Sequence, residues 1–244
     1  MLKPGGLPGT DETVRAGFSL IETIASIAVV AILISLMLPT VSDARKKSQD
    51  LHALATIASH AKVMSIYQTD YRDAFPALVP PGAASSTYIV AGQPYIINGY
   101  FGQVYAWQFG LSEDYYDSQV VGPLFQRPGR NPWLVTDYRY SASFIADAAF
   151  WNERTRIGPQ QWRGQRAHAV VYPSAKTLLV DDRIMDPASP ARGVVALVDA
   201  SARITHPSEM NAPLASGEGE WPGTWSDGRV GIHTVDGVRG RDIP

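Results

Sequence analysis

The residue whose setting most demands a chemical explanation is Glu22. It lies inside the stretch FSLIETIASIAVVAILISLMLP, residues 18–39, and no formally charged side chain occurs from Thr23 to Ser42. A carboxylate sunk in hydrocarbon costs about 2.5–3.5 kcal/mol on insertion scales, so it requires a partner. Arg15 is seven residues upstream, and no Lys, Arg or His follows within two helical turns. The partner is therefore expected from another molecule or from a newly made chain terminus. A second candidate is the acidic cluster Asp181, Asp182 and Asp186, which supplies the hard oxygen donors that calcium takes; the competing reading is a solvated polar turn. His52 and His60 are eight residues apart on one expected helix, whereas a metal pair on a helix face needs a spacing of three or four. They are read as surface or packing residues, and His168, His206 and His233 stand singly. No phosphate loop, H-E-x-x-H, G-x-S-x-G or EF-hand pattern occurs, so neither an enzyme activity nor a resident cofactor is expected.

Composition closes off further classes. The 244 residues carry 21 Lys and Arg against 23 Asp and Glu, a net charge of −2. A protein held to nucleic acid by phosphate neutralisation is more basic than this, so no nucleic-acid partner is expected. The absence of Cys removes disulfides, thiolate metal ligands and thiol nucleophiles together. A hydrophobic share of 45% supports a real core, and the length suits one domain with an appendage.

The element that must position Glu22 is legible from length alone. Twenty uncharged residues at 1.5 Å each make about 30 Å of helix, the thickness of a bilayer's hydrocarbon core. Backbone amides in lipid must be satisfied within their own segment, so this stretch is expected to be helical and to insert in the bilayer. A cleaved secretory signal has a shorter apolar run that ends in small residues. Here the run ends in Leu38-Pro39-Thr40 and the helical pattern continues. From Ser42 to about Tyr71 it becomes amphipathic, with Leu54, Ile57, Ala58, Ala61 and Met64 on one stripe. Asp70, Asp73 and Pro76 predict its end between Thr69 and Phe75.

Gly17-Phe18-Ser19-Leu20-Ile21-Glu22 resembles the prepilin cleavage motif, GF[ST]L[IV]E, of type IV pilins and type II secretion pseudopilins. The resemblance implies a cytoplasmic leader at residues 1–17, cut by a prepilin peptidase between Gly17 and Phe18, and N-methylation of Phe18. It implies that Glu22 meets the terminal ammonium of a neighbouring copy during assembly, and that Pro39 kinks the helix or lets it melt locally. The leader departs from the usual short basic form, since Asp11 and Glu12 accompany Lys3 and Arg15. The cations flanking the span, Lys3 and Arg15 before it and Arg45, Lys46 and Lys47 after it, slightly favour the reverse orientation. The motif is taken to decide the orientation.

Residues 77–244 then form a globular domain. Segment 79–135 is rich in aromatics, read as core and subunit-interface packing, with β-like runs at Thr87–Val90, Tyr95–Ile97 and Val104–Phe109. Further runs at Asp137–Ile145, Ala169–Tyr172, Thr177–Val180, Val194–Val198 and Val230–His233 predict an antiparallel sheet. Pro173–Asp181 and Gly193–Asp199 resemble a pseudopilin-like subgroup, although Val198-Asp199-Ala200-Ser201-Ala202 lacks that subgroup's Gly and His turn.

The expected fold is α+β. A helix with a membrane-spanning first half (18–41) and an amphipathic continuation (42–76) packs on a small antiparallel sheet. The implied function is a pilin-like subunit of a type II secretion pseudopilus or type IV pilus-like filament. Its implied location is the inner membrane in a single pass with the C-terminal domain periplasmic, or a surface filament. The implied partners are prepilin peptidase, other copies or other pilin-like subunits, the inner-membrane assembly machinery and the lipid bilayer. The alternative is a singly anchored periplasmic ligand-binding protein that does not polymerise.

Overall fold

A computed structural model describes residues 19–126, 135–214 and 228–244. The expected leader, with Gly17 and Phe18, lies outside the described residues. The chain divides into two units at Lys47 and Ser48. One helix, α1 (Leu20–Asp70), begins in the first and ends in the second, within the predicted window. Pro39 is inside it and the helix continues past it. Proline removes one N–H from the ladder. The nearby hydroxyls of Ser35 and Thr40 donate to the carbonyls of Ile32 and Met37 at 2.8 and 2.7 Å.

Every described residue of the first unit, from Ser19 to Lys47, is exposed. Helix α1 is long and apolar enough to cross a membrane, and none of that apolar stretch is buried.

In the second unit α1 buries Ala53, Ile57, His60, Ala61 and Met64, while Leu54 and Ala58 are half-buried. The stripe is the expected one, shifted so that His60 lies at its centre. Two antiparallel sheets follow. The first is the hairpin β1 (Ser85–Val90) and β2 (Gln93–Asn98), with Tyr88 opposite Tyr95. The second has the order β3 (Tyr138–Tyr140), β4 (Thr177–Asp181), β5 (Gly193–Leu197) and β6 (Ala202–Thr205). Val180 faces Val195 across β4 and β5, and Val194 faces Ile204 across β5 and β6. Strands β3, β4 and β5 are buried along their whole length, so β5 and the centre of β4 (Leu178–Val180) read as continuous apolar runs rather than alternations, while β3 buries Arg139 between two tyrosines.

Four expected strands are corrected. Val104–Phe109 is helical, as α2 (Gln103–Ala106) followed by a 3₁₀ turn, Trp107–Gly110. Val104, Trp107 and Leu111 recur at helical spacing and all three are fully buried, so the period was 3.6 and not 2. Asp137–Ile145 keeps only the three residues of β3 before a 3₁₀ turn at Ala142–Phe144. Ala169–Tyr172 forms no strand: Val170 is buried, but Val171 and Tyr172 are exposed. Val230–His233 is a turn in which the N–H groups of Ile232 and His233 both donate to the Arg229 carbonyl, with Gly231 at φ 70°. Strand β6 was not among the expected runs. It returns from β5 through a turn at Ala200, φ 63°, where Asp199 Oδ1 accepts from the Ser201 N–H at 3.0 Å.

Candidate functional site

The site with the strongest claim in the sequence is the start of α1. Ser19 precedes the helix, and its N–H donates to Glu22 Oε2 at 2.8 Å while the Glu22 N–H donates to Ser19 Oγ at 3.3 Å. This reciprocal pair is a capping box: two backbone donors that the first helical turn leaves without partners are satisfied by side chains. Glu22 thus has a neutral partner within its own chain, and no cation among the described residues pairs with it. The partner is a backbone N–H three residues away, and the spacing Ser-x-x-Glu was its visible signal. A carboxylate offers about four acceptor positions, so the bond from Ser19 leaves room for a further donor.

Around and after Glu22 the surface is apolar and uncovered. Leu20, Ile21, Ile24, Ile27, Ile32 and Leu38 are among the exposed side chains, with Leu20 at 80% and Leu38 at 64%. Soluble monomers seldom expose contiguous apolar patches beyond a few hundred Å², so such a face requires lipid or another apolar face.

The acidic cluster does not converge. Asp181 is buried and held by Arg183, whose Nη2 donates to Oδ2 at 2.7 Å and whose N–H donates to Oδ1 at 3.0 Å. Asp182 lies 3.6 Å from Arg139, and Asp186 Oδ1 accepts from the Ala188 N–H at 2.9 Å. Each carboxylate thus bonds to a partner of its own. Among the described residues, no group of three or more His, Asp or Glu is placed to hold a metal ion.

The histidines separate by burial. His52 and His168 are exposed, and His206 Nδ1 accepts from the Ser208 N–H at 3.2 Å. His60 is fully enclosed by Trp107, Tyr116, Phe125 and Tyr138, with its ring stacked on Phe125 at 5.2 Å. A carbonyl only accepts, so Nε2 carries the proton and donates to Leu124 O at 2.7 Å; Nδ1 then accepts from the Tyr116 hydroxyl at 2.8 Å. Burial pushes the His60 imidazole down to about 4, against the smaller upward pull of the Leu124 carbonyl. The neutral ring thus ties α1 to the aromatic segment. His233, also buried, stacks on Trp151 at 5.8 Å, and burial pushes it down to about 3.

A buried ion pair closes the C-terminal segment onto β4. Lys176 is fully buried, and its Nζ lies 3.0 Å from Asp242 Oδ2 and 2.9 Å from Ser143 Oγ, with Thr234 also in contact. Asp242 Oδ2 also accepts from the Thr177 N–H at 2.9 Å. Burial lowers the affinity of Lys176 for its proton, and Asp242 opposes that shift. The network is buried and joins residues from four separate parts of the chain, Ser143, Lys176, Thr234 and Asp242.

No family model, curated protein or solved structure matches this chain. The class defined by fold and site is an α+β protein with a long apolar N-terminal helix suited to a single membrane span or signal anchor.

Proposed function

We propose that this chain is a pilin-like structural subunit that polymerises through its N-terminal helix into a type II secretion pseudopilus or a type IV pilus-like filament. The observation that carries the reading is an uncovered apolar helix whose first turn holds one carboxylate, Glu22. In this reading prepilin peptidase cuts between Gly17 and Phe18, and Phe18 becomes an N-methylated ammonium. The ammonium of one copy then meets Glu22 of the next. In a low-dielectric surrounding the two charges together are tolerated where either alone is strongly penalised, so the pair selects the register between copies. The apolar faces of neighbouring helices form the filament core. The subunit resides in the inner membrane before assembly, with its globular unit in the periplasm.

The capping box favours a second reading, a singly anchored periplasmic binding protein, because it gives Glu22 a use within its own helix. One substitution separates the two. Glu22→Gln keeps the capping-box geometry, which glutamine also satisfies, but removes the charge. In a filament subunit, Glu22→Gln and Glu22→Ala both lose incorporation while the chain stays membrane-inserted. In a solitary anchor, Glu22→Gln behaves as the parent. Mass spectrometry of the mature N-terminus complements this: methyl-phenylalanine at Phe18 is the expected result, and an intact leader on the membrane-resident protein overturns the proposal.

A further inference from the structure

One groove in the globular unit is used by neither the assembly reading nor the anchor reading. It has a volume of about 430 Å³, and its polar lining comes from Asp147, Arg163, Gln165, Arg166, His168 and Arg239. That volume is within the range of small-molecule sites.

The backbone that carries these side chains is fixed by hydrogen bonds. The ribbon 161–167 is hydrogen-bonded on both edges. On one side the Asp147 N–H donates to Gln161 O at 2.9 Å, the Arg163 N–H to Ile145 O at 3.1 Å and the Gln165 N–H to Phe144 O at 2.8 Å. On the other, the Phe75 N–H donates to Gln165 O at 2.9 Å and the Ala167 N–H to Asp73 O at 2.8 Å. Arg239 arrives on a separate 3₁₀ turn, Gly237–Arg239. Gly237 has φ 54°, and a Cβ there would meet the Trp151 ring at 2.5 Å, so only glycine lets this turn seat Arg239 at the groove.

Its electrostatics are one-sided. Three guanidinium groups and one histidine line the groove against a single carboxylate, in a chain whose net charge is −2. Asp147 answers only one of them: its Oδ1 accepts from Arg163 Nε at 2.5 Å and from Gln165 Nε2 at 3.2 Å. Arg166 donates through Nη1 to Arg72 O at 3.3 Å, a bond that leaves most of its donors unused. Arg239 makes no ion pair among the described residues. A guanidinium presents a planar fork of N–H donors that matches carboxylate and phosphate oxygens two at a time. Asp147 Oδ2 takes none of the bonds to its sister oxygen, and with Gln165 Oε1 it offers acceptors suited to hydroxyl groups.

We infer that this groove binds a small hydroxylated oxyanion, a sugar phosphate or a sugar acid. Its anionic group lies between Arg166 and Arg239, and its hydroxyls face Asp147 and Gln165. The site does not depend on polymerisation.

The test is isothermal titration of the full chain in a neutral detergent with glucose 6-phosphate, glucuronate, inorganic phosphate and glucose. Saturable binding of glucose 6-phosphate or glucuronate is expected, with inorganic phosphate weaker and glucose silent. Combined Arg166→Ala and Arg239→Ala should weaken binding at least tenfold. Arg239→Lys, which keeps the charge and loses the fork, should lie between, with an unchanged melting curve showing that the fold is intact. No saturable binding by any anion, equal binding of glucose, or unchanged affinity in the double variant overturns the inference. Binding to phosphatidylglycerol vesicles with none to the soluble anions also overturns it, because the ligand is then a lipid surface.

Discussion

The two units of this chain treat the same kinds of side chain in opposite ways. In the first unit Ile24, Ile27, Ile32 and Leu33 are 54–64% exposed, whereas in the second Ile57, Ile145 and Leu179 are fully buried. A globular unit offers the apolar side chain a protein interior. The first unit offers it none, so whatever environment it occupies has to be apolar itself. Polar groups follow the same division. In the first unit Glu22 bonds to the backbone three residues away. In the second, local bonds such as that of Arg183 to Asp181 are joined by partners far along the chain, as His60 has in Leu124 and Lys176 in Asp242.

The largest effect that sharpens this contrast is a pair of truncations. Trp107 is fully buried, and its indole N–H donates to the Tyr138 carbonyl at 2.9 Å. Trp107→Ala should lower the stability of the globular unit by about 3–5 kcal/mol, through lost contacts and a cavity. Ile27→Ala, on the uncovered helix, should leave it unchanged. Denaturant melts in detergent followed by near-ultraviolet circular dichroism check both, and an Ile27 effect as large as that of Trp107 would break the comparison.

Acid is the next lever. His60 is held neutral in the fold, with its value pushed from the usual 6.5 down to about 4. The unfolded chain therefore binds more protons between these values. Stability is complete above about pH 6.5 and is lost as pH falls toward 4, by roughly 3 kcal/mol from this residue. His233, pushed down to about 3, carries the same loss to lower pH. The expected observation is a denaturation midpoint that drops between pH 7 and 4.5 while the helical signal of the apolar stretch, which has no histidine, persists. A flat profile would show that the rings are not enclosed as described.

The smallest effect is at the cap. Ser19→Ala removes the hydroxyl that accepts the Glu22 N–H, and should cost about 1 kcal/mol of local helix stability. Amide exchange should speed up in the first turn only, with the globular unit unaffected.

The first unit was legible in the sequence because its determinants are local. An uninterrupted apolar run specifies a helix by length, polarity and backbone satisfaction, and the end of α1 at Asp70 follows from nearby turn residues. The hairpin β1–β2 and the central strands β4 and β5 were also readable from short β-branched runs between turns. Segments 104–109 and 230–233 were misread for different reasons: Val104, Trp107 and Leu111 follow a helical period that a six-residue window hides, and Gly231 at φ 70° makes a turn of a short β-branched run. The capping bond of Glu22 to Ser19 is local too, and the spacing Ser-x-x-Glu encodes it.

Sequence alone determined that an apolar helix precedes an aromatic-rich α+β domain, because transfer free energies and turn preferences are summed over neighbouring residues. Tertiary structure alone decided that His60 is a neutral hydrogen-bonded anchor, that Asp181, Asp182 and Asp186 bond to different partners, and that Arg163, Arg166 and Arg239 share one groove. Each of those outcomes depends on groups brought together from distant parts of the chain, where burial and the nearest opposite charge set the chemistry, and no local pattern encodes that proximity.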